Sequence, residues 1–149
     1  MSSVQKLVDM ARLVYSMGFK VLVATRVYGA AAQSGVPEAT RIALKHGGSL
    51  LVLQDIDDAI DLLKPRSVYI VTSDYAERKV NPEEFNPDDG SLLAFNGGEP
   101  DFTLEEARKG QPIYLAGLEQ RIGPIAEASI LLYSVKRRTE RRHAEGGER

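Results

Sequence analysis

The sequence predicts a single α/β domain in which a parallel sheet carries helices on both of its faces. Short apolar runs rich in β-branched residues alternate with stretches of helical periodicity through most of the 149 residues. The runs are continuously apolar, as in parallel strands that are buried on both sides. The chain has no cysteine and two histidines, so a hydrophobic core has to hold the domain together without disulfides.

The first 72 residues are predicted to alternate helices and strands. A helix begins near Val4, where apolar residues follow the i, i+3, i+4 spacing, and it ends before Gly18, which fits the position just beyond a helix. A second helix begins near Pro37, because proline suits the first turn. A third helix is capped by Asp55 and stopped by Pro65. Each helix is followed by a buried strand, and these strands cover residues 20–25, 49–53 and 67–72.

The second half of the chain begins with an irregular segment. Residues 74–90 are acidic and rich in turn signals, so they are predicted to form a loop. Thr103 and Glu106 have the spacing of a capping box for a short helix that Gly110 closes. The last helix is predicted to begin near Pro124 and to run into a basic segment. Strands precede these two helices, at residues 92–95 and 112–115.

Composition and charge restrict the class of protein. No segment approaches the roughly 18 apolar residues of a membrane span, and the N-terminus has no apolar signal core, so a cytoplasmic protein is expected. Residues 1–50 carry a net charge of +4, residues 51–110 of −8 and residues 111–149 of +2. Basic ends around an acidic middle are compatible with a local nucleic-acid face, and equally with a mixed, solvated surface. Residues 144–149 are low in complexity, so the predicted domain spans residues 1–143 and a disordered tail follows.

Two loops that each join a strand to a helix are the best candidates for a ligand site. The first contains the pair Gly97 and Gly98, which lets a backbone approach a ligand closely and precedes a helix N-terminus with free N–H groups. The second covers residues 117–124. The sequence contains neither a dinucleotide fingerprint nor a P-loop. Taken alone, each loop is more often an ordinary strand-to-helix turn than a ligand site.

Together the two segments resemble motifs of the SpoU-like (TrmH-like) branch of the SPOUT methyltransferase superfamily. Phe95 and Thr103 have the separation of the Phe and Ser in one motif of that branch. Ile113 and Gly117 match the Ile and Gly of the next motif, and residues 130–133 match the helix that ends the pattern. The resemblance covers most of the chain. It is closest to an archaeal SpoU-like subgroup that is sometimes labelled RecB-family nuclease.

The resemblance implies a fold, a cofactor and a partner. Members of the superfamily have a C-terminal trefoil knot, form homodimers through their first and last helices, and hold S-adenosylmethionine mainly through backbone groups of three loops. The SpoU-like branch methylates ribose 2′-hydroxyls, so the expected function is S-adenosylmethionine-dependent methylation of tRNA or rRNA. The residues implied to bind the cofactor are Thr72, Ser73, Phe95, Asn96, Gly97, Gly98, Leu115, Ala116, Gly117, Ile122, Gly123 and Ile125.

The resemblance also implies a catalytic residue in the first helix. Arg12 stands six residues before Gly18, like the arginine that is proposed to help activate the ribose hydroxyl. The chain departs from the family at other motif positions, because two motif asparagines fall at Lys6 and Gly123 and a motif glutamate is displaced to Glu99. Members of the family also have a strand before the first helix, whereas this sequence begins at the helix, so either the start is truncated or the sheet is completed differently. These departures affect catalysis more than cofactor binding, so the alternative is a non-catalytic knotted protein that binds S-adenosylmethionine or RNA.

A metal-dependent nuclease is the second alternative. Glu77, Arg78 and Lys79 have the Glu-x-Lys form of some nuclease sites, and Asp74 lies close in sequence. The basic residues between 136 and 142 are suited to phosphate contacts, and equally to stabilising the end of a helix. A dependence on metal ions would separate the nuclease from the other two functions, and methyl transfer to RNA would separate the enzyme from the binding protein.

Overall fold

The computed structural model of the chain describes residues 2–98 and 101–147. The chain divides into two compact units, Met1–Pro65 and Arg66–Arg149. Both units are built from parallel strands and helices, which confirms the predicted α/β class. The boundary at residue 143 and the tail beyond it stay predictions. Within the described ranges, no helix is long and apolar enough to cross a membrane.

Over its described residues, 2–65, the first unit contains three α-helices and two strands. Its elements are α1 (Ser2–Ser16), β1 (Val21–Thr25), a π-helical turn (Ala31–Gly35), α2 (Val36–Lys45), β2 (Ser49–Leu53) and α3 (Ile56–Leu63). The two strands pair in parallel, with Val21 opposite Ser49. Tyr15, at the end of α1, is buried and donates its hydroxyl to Ser49 O at 2.6 Å. The α1 helix is thereby joined to the first residue of β2.

The second helix begins earlier than the sequence pattern predicts. A π-helical turn precedes α2, and the Val36 N–H donates to Ala31 O, five residues back. Pro37 lies in the first turn of α2 as predicted, and it has no N–H for the usual bond to the carbonyl four residues back. The wider turn ends directly before this position. Such turns are single-turn features inside helices, and a hydrophobic pattern does not reveal them.

In residues 66–98 and 101–147, the second unit contains four strands and two helices. Its elements are β3 (Ser67–Val71), β4 (Arg78–Val80), β5 (Ser91–Phe95), α4 (Leu104–Ala107), β6 (Gln111–Leu115) and α5 (Pro124–Gly147). The strand order is β4-β6-β3-β5, and every pair is parallel. The prediction of one sheet is therefore wrong, because the strands form a two-stranded and a four-stranded sheet. Local periodicity identifies strands, but it carries no information on which strands pair.

The strand β4 lies inside the segment that was predicted to be a loop. Arg78 and Lys79 are exposed and only Val80 is buried, so the three residues lack the apolar run of the other strands. Among the described strands, β4 pairs with β6 alone and forms the edge of the sheet. Charged side chains are common on edge strands, because they discourage pairing with other chains.

The connection from β3 to β4 crosses β6. β3 pairs with the first part of β6, where Val71 lies opposite Ile113, and β4 pairs with the second part on the other side, where Val80 lies opposite Leu115. Residues 72–77 make this crossing. A crossover between parallel strands usually needs a dozen or more residues. Six are enough here because the two strands flank different parts of β6.

The core of the second unit lies against this sheet. Tyr69 and Phe85 pack edge to face, with ring centroids 5.1 Å apart and an interplanar angle of 87°. They belong to a buried cluster that also contains Val71, Ile113 and Leu131. The short α4 is capped as predicted, because Thr103 accepts from the Glu106 N–H and Glu106 accepts from the Thr103 N–H. The cluster and the capped helix hold the loops that follow β3, β5 and β6.

Candidate functional site

Three loops follow the carboxyl ends of the parallel strands β3, β5 and β6. They are called here the β3 loop (residues 72–77), the β5 loop (residues 96–103) and the β6 loop (residues 116–123). Carboxyl ends of parallel strands lie at the same edge of a sheet, where ligands of open α/β sheets bind. All three loops belong to the second unit.

Asp101 joins the β5 loop to the β3 loop. Its side chain is 2% exposed, and both carboxylate oxygens accept hydrogen bonds. Oδ2 accepts from Thr72 Oγ1 at 2.9 Å, from Ser73 N at 2.9 Å and from Asp74 N at 3.2 Å. The Ser73 hydroxyl lies 3.3 Å from the same oxygen, and Oδ1 accepts from Phe102 N at 2.7 Å. The carboxylate thus gathers donors from three consecutive residues at the end of β3.

These donors control the ionisation of Asp101. Burial by itself raises the pKa of a carboxyl group, because it penalises the charged form. The hydrogen bonds from Asp74, Phe102, Thr72 and Ser73 outweigh that effect, and the pKa of Asp101 lies below the ordinary value of aspartate. The group is therefore a carboxylate at neutral pH. As a charged acceptor, the carboxylate holds the β3 loop through its hydrogen bonds.

Arg121 joins the β6 loop to the β5 loop. Its Nη2 donates to Asn96 O at 2.7 Å and its Nη1 to Gly98 O at 3.0 Å. Its Nε lies 3.9 Å from Asp101 Oδ1, and the arginine side chain is 18% exposed. The Asn96 side chain accepts from the Gly98 N–H at 3.0 Å, which folds residues 96–98 into a tight turn. Arg121 and Asp101 together connect all three loops.

Tyr114 and Glu127 fix the base of the β6 loop. Both side chains are buried, and the Tyr114 hydroxyl lies 2.6 Å from Glu127 Oε2 and 3.0 Å from Gln120 O. The same hydroxyl accepts from the Ile122 N–H at 3.2 Å. Burial, followed by the bond to Glu127 and the charge of Glu127, raises the pKa of Tyr114. The hydroxyl therefore keeps its proton and anchors residues 120–122 between β6 and α5.

The residues of the Glu-x-Lys pattern lie at the border of this site. Lys79 Nζ donates to Leu118 O of the β6 loop at 2.6 Å. Asp74 and Glu77 are exposed in the β3 loop. Within residues 2–98 and 101–147, no group of three acidic or histidine side chains is placed to hold a metal ion. The lysine of the pattern is thus engaged with the loop backbone.

The predicted cofactor residues all lie in the three loops or at their borders. Thr72, Ser73, Asn96 and Gly98 are brought together by their bonds to Asp101 and Arg121. The others differ in their surroundings, because Leu115 packs in the core whereas Ile122 is exposed. The remaining members are Phe95, Gly97, Ala116, Gly117, Gly123 and Ile125. Their contacts with a ligand stay predictions.

Arg12 does not belong to the three loops. Arg12 lies in α1 of the first unit, where its side chain is 60% exposed and its Nη1 is 3.7 Å from Asp9 Oδ1. Its catalytic role stays a prediction. Glu99 lies outside the described residues. Asp101 and Arg121 were not among the predicted site residues, although Arg121 is the one basic residue between positions 116 and 123.

The two glycines that matter most for a ligand differ in backbone conformation. Gly123 has a φ of +100°, which L-residues rarely adopt, so a side chain there strains the backbone whatever space is available. Gly97 is not in that region, and a Cβ built on it meets nothing within 4 Å. A substitution at Gly123 would therefore disturb the loop backbone as well as any ligand. Gly97 is the better position for testing ligand binding by adding a side chain.

Comparisons with known proteins agree with the fold and with the predicted label. A family model described as RecB-family nuclease (DUF2122) matches residues 29–134. Over 137 residues the chain is 51% identical to a protein of Aeropyrum pernix that is provisionally named type II restriction enzyme ApeKORF2002P, covering 91% of this chain and 88% of the relative.

The similar solved structures belong to a different functional class. The A. aeolicus TrmH/SpoU tRNA modifying enzyme matches with a TM-score of 0.71 and 14% identity, over 96% of this chain and 72% of that one. The SpoU methyltransferase AviRb of Streptomyces viridochromogenes, in complex with AdoMet, matches with a TM-score of 0.69 and 12% identity. That match covers 91% of this chain and 56% of AviRb, so the chain spans little more than half of it. At these identities the likeness shows the fold, and it confirms the resemblance to SpoU-like proteins.

Proposed function

The chain belongs to the family described as RecB-family nuclease, and from its SpoU-like fold and its three connected loops we propose that it is an S-adenosylmethionine-dependent RNA methyltransferase. The proposed acceptor is a ribose 2′-hydroxyl of a tRNA or rRNA. The observation that carries this proposal is the joining of the β3, β5 and β6 loops at one sheet edge by Asp101 and Arg121. In the same fold, AviRb is a methyltransferase that holds AdoMet, and the A. aeolicus protein modifies tRNA.

The loops are suited to a cofactor that is recognised through the backbone. A flat adenine ring needs peptide donors and acceptors near its edge and few side chains in its way. Gly97 and Gly123 leave open space beside the backbone of the β5 and β6 loops. We place S-adenosylmethionine against these loops, with the predicted residues from Thr72 to Ile125 around it. When bound, the cofactor supplies the methyl group, and Arg12 is the residue proposed to orient and activate the ribose hydroxyl.

The chain path supports a knot in the second unit. Residues 72–77 cross β6 to reach β4, and β6 itself enters the sheet later in the chain, between β3 and β4. A strand inserted between two earlier, consecutive strands is compatible with a C-terminal segment that is threaded past the connection between them. Knots are otherwise nearly absent from proteins. A tight arrangement of this kind would hold the β3 and β6 loops against each other without a large core.

A homodimer through the first and last helices is part of the same proposal. α5 exposes Ile130 (40%) and Tyr133 (56%), which are large apolar side chains on a helix whose other face packs in the core. Burial of such side chains is favourable by about 25 cal/mol per Å² of apolar surface. Sedimentation of the protein at micromolar concentration tests this part, and a monomer would contradict it.

Titration calorimetry with S-adenosylmethionine tests the cofactor. We expect the wild type to bind, and Gly97→Val to bind at least about tenfold more weakly, because an isopropyl group fills the space that the ligand needs. Ala144→Val is the control, since it enlarges an exposed residue of α5. Absence of binding by the wild type at millimolar ligand, less than about 4 kcal/mol, would remove the methyltransferase proposal.

Methyl transfer separates the enzyme from a binding protein. Labelled S-adenosylmethionine and RNA transcripts should yield labelled RNA with the wild type, and less with Arg12→Ala at unchanged cofactor affinity. Cofactor binding without transfer to any RNA would favour the non-catalytic alternative.

The names of the family and of its A. pernix relative favour the nuclease as the second candidate. Cleavage of DNA that requires Mg²⁺ and is lost in Glu77→Gln would establish it. The position of Lys79, whose ammonium is bound to Leu118 O, argues against this candidate.

A further inference from the structure

We propose that Asp101 and Arg121 are positioning residues that act together as one latch, holding the β3, β5 and β6 loops in the shape that receives the ligand. The identity of the ligand rests on the proposed function, whereas the latch rests on the geometry of the free protein. Both residues lie inside the segments that resemble SpoU-like motifs, but neither is one of the positions that match the family.

The Asp101 half of the latch determines where the β3 loop lies. A buried carboxylate is stable only when its oxygens are hydrogen-bonded, so Asp101 and its donors have to move as one body. Two of these donors are the consecutive N–H groups of Ser73 and Asp74, at 2.9 and 3.2 Å. They belong to the first residues of the connection that crosses β6. The direction in which the chain leaves β3 therefore depends on one side chain of the β5 loop.

The Arg121 half determines the distance between the β5 and β6 loops. A guanidinium is a rigid planar fork, so two of its N–H groups reach two acceptors only when these stand at matching positions. The acceptors here are the carbonyls of Asn96 and Gly98. The turn that the Asn96 side chain closes orients both carbonyls towards Arg121. A lysine at position 121 would keep the positive charge but could not present two N–H groups in one fixed plane to the two carbonyls.

The two halves are coupled through charge. Arg121 Nε lies 3.9 Å from Asp101 Oδ1, and both side chains are largely withdrawn from water. Solvent and salt screen such a pair less than an exposed one. The bonds of the latch end on Thr72, Ser73, Asn96 and Gly98, four of the residues predicted to contact the cofactor. Sites that bind through backbone groups depend on such supporting side chains, because a loop displaced by 1 Å loses its contacts.

Amide hydrogen exchange of the free protein, resolved by residue, tests the latch without any ligand. Arg121→Met should speed exchange strongly at Gly98 and less at Ser73 and Asp74, because it removes the charge beside Asp101 but not the hydrogen bonds to it. Asp101→Asn should speed exchange at Ser73 and Asp74. Arg108→Met is the matched control, because Arg108 is an exposed arginine of the same unit. This control should change none of the three amides.

Binding of S-adenosylmethionine then tests the positioning role. We expect Arg121→Met to raise Kd by about tenfold or more at nearly unchanged Tm, and Arg121→Lys to fall between it and the wild type. Unchanged exchange at Gly98, or unchanged or tighter binding in Arg121→Met, would overturn the proposal. If Asp101→Asn does not fold, the two Arg121 variants and their control still decide it. If the wild type binds no S-adenosylmethionine, the proposed function fails, while the exchange rates still decide whether the latch exists.

Discussion

Asp101→Asn removes one charge and one acceptor at the point where the β3 and β5 loops meet. An asparagine offers one oxygen and one NH₂ group, so one of the two acceptor positions is lost whichever way the amide turns. The better orientation keeps the oxygen at the position that now accepts from Thr72, Ser73 and Asp74. The Phe102 N–H, now 2.7 Å from Oδ1, then faces an NH₂ group.

The cost of this substitution follows from the unsatisfied donor. A buried donor without an acceptor costs about 1–3 kcal/mol, so the free energy of unfolding should fall by about 2 kcal/mol. For a chain of about 150 residues this lowers Tm by about 4–8 °C. Asp89→Asn is the control, because Asp89 is exposed. Urea unfolding followed by circular dichroism measures both variants, and a stability of Asp101→Asn equal to that of the control would refute the reasoning.

The same variant should have a characteristic pH dependence. Because the pKa of Asp101 is lowered in the folded protein, the carboxylate adds stability above the pKa of an unfolded aspartate, about 3.9. This contribution is lost as the pH falls through the lower pKa of the folded state. The difference between wild type and Asp101→Asn should therefore be constant from about pH 7 to about pH 5 and shrink below about pH 4. A difference that persists unchanged in strong acid would contradict the assigned ionisation.

Three substitutions test packing elsewhere. Gly110→Ala places a Cβ 2.6 Å from Val68 O, so strand β6 has to shift, at a cost of about 1–3 kcal/mol. Tyr114→Phe leaves the Ile122 N–H and the buried Glu127 without the hydroxyl and should cost about 1–3 kcal/mol. The Asp55 side chain caps α3 by accepting from two backbone N–H groups, so Asp55→Ala should lower the free energy of unfolding by about 1 kcal/mol. Asp55→Asn should keep most of the wild-type stability, because asparagine is also a good N-cap. Denaturant unfolding measures the stability of all three variants. Wild-type stability in any variant would contradict the stabilising role assigned to the contact that it alters.

The elements that the sequence predicted correctly are those with a local signal. The N-caps of α3 and α4 were identified because Asp55 and Thr103 act within three residues of their partners. The strand over 49–53 was identified by its apolar run. β4 was missed because an edge strand needs no such run, and its pairing with β6 joins residues more than 30 positions apart. Which strand is inserted between which others is a property of the whole chain, and no local pattern contains it.

In the candidate site, too, the residues with a local sequence signal were predicted and those with distant partners were not. Gly97 was predicted from a local pattern, because a glycine pair after a strand is visible in the sequence. The residues that hold the loops were not, since Asp101 reaches Thr72 across 29 positions and Arg121 reaches Asn96 across 25. A site that recognises its ligand through backbone groups imposes few side-chain types on its own loops. The residue type matters more at the side chains that hold those loops in place. Substitutions of Asp101 and Arg121 are therefore the most direct tests of the proposed function.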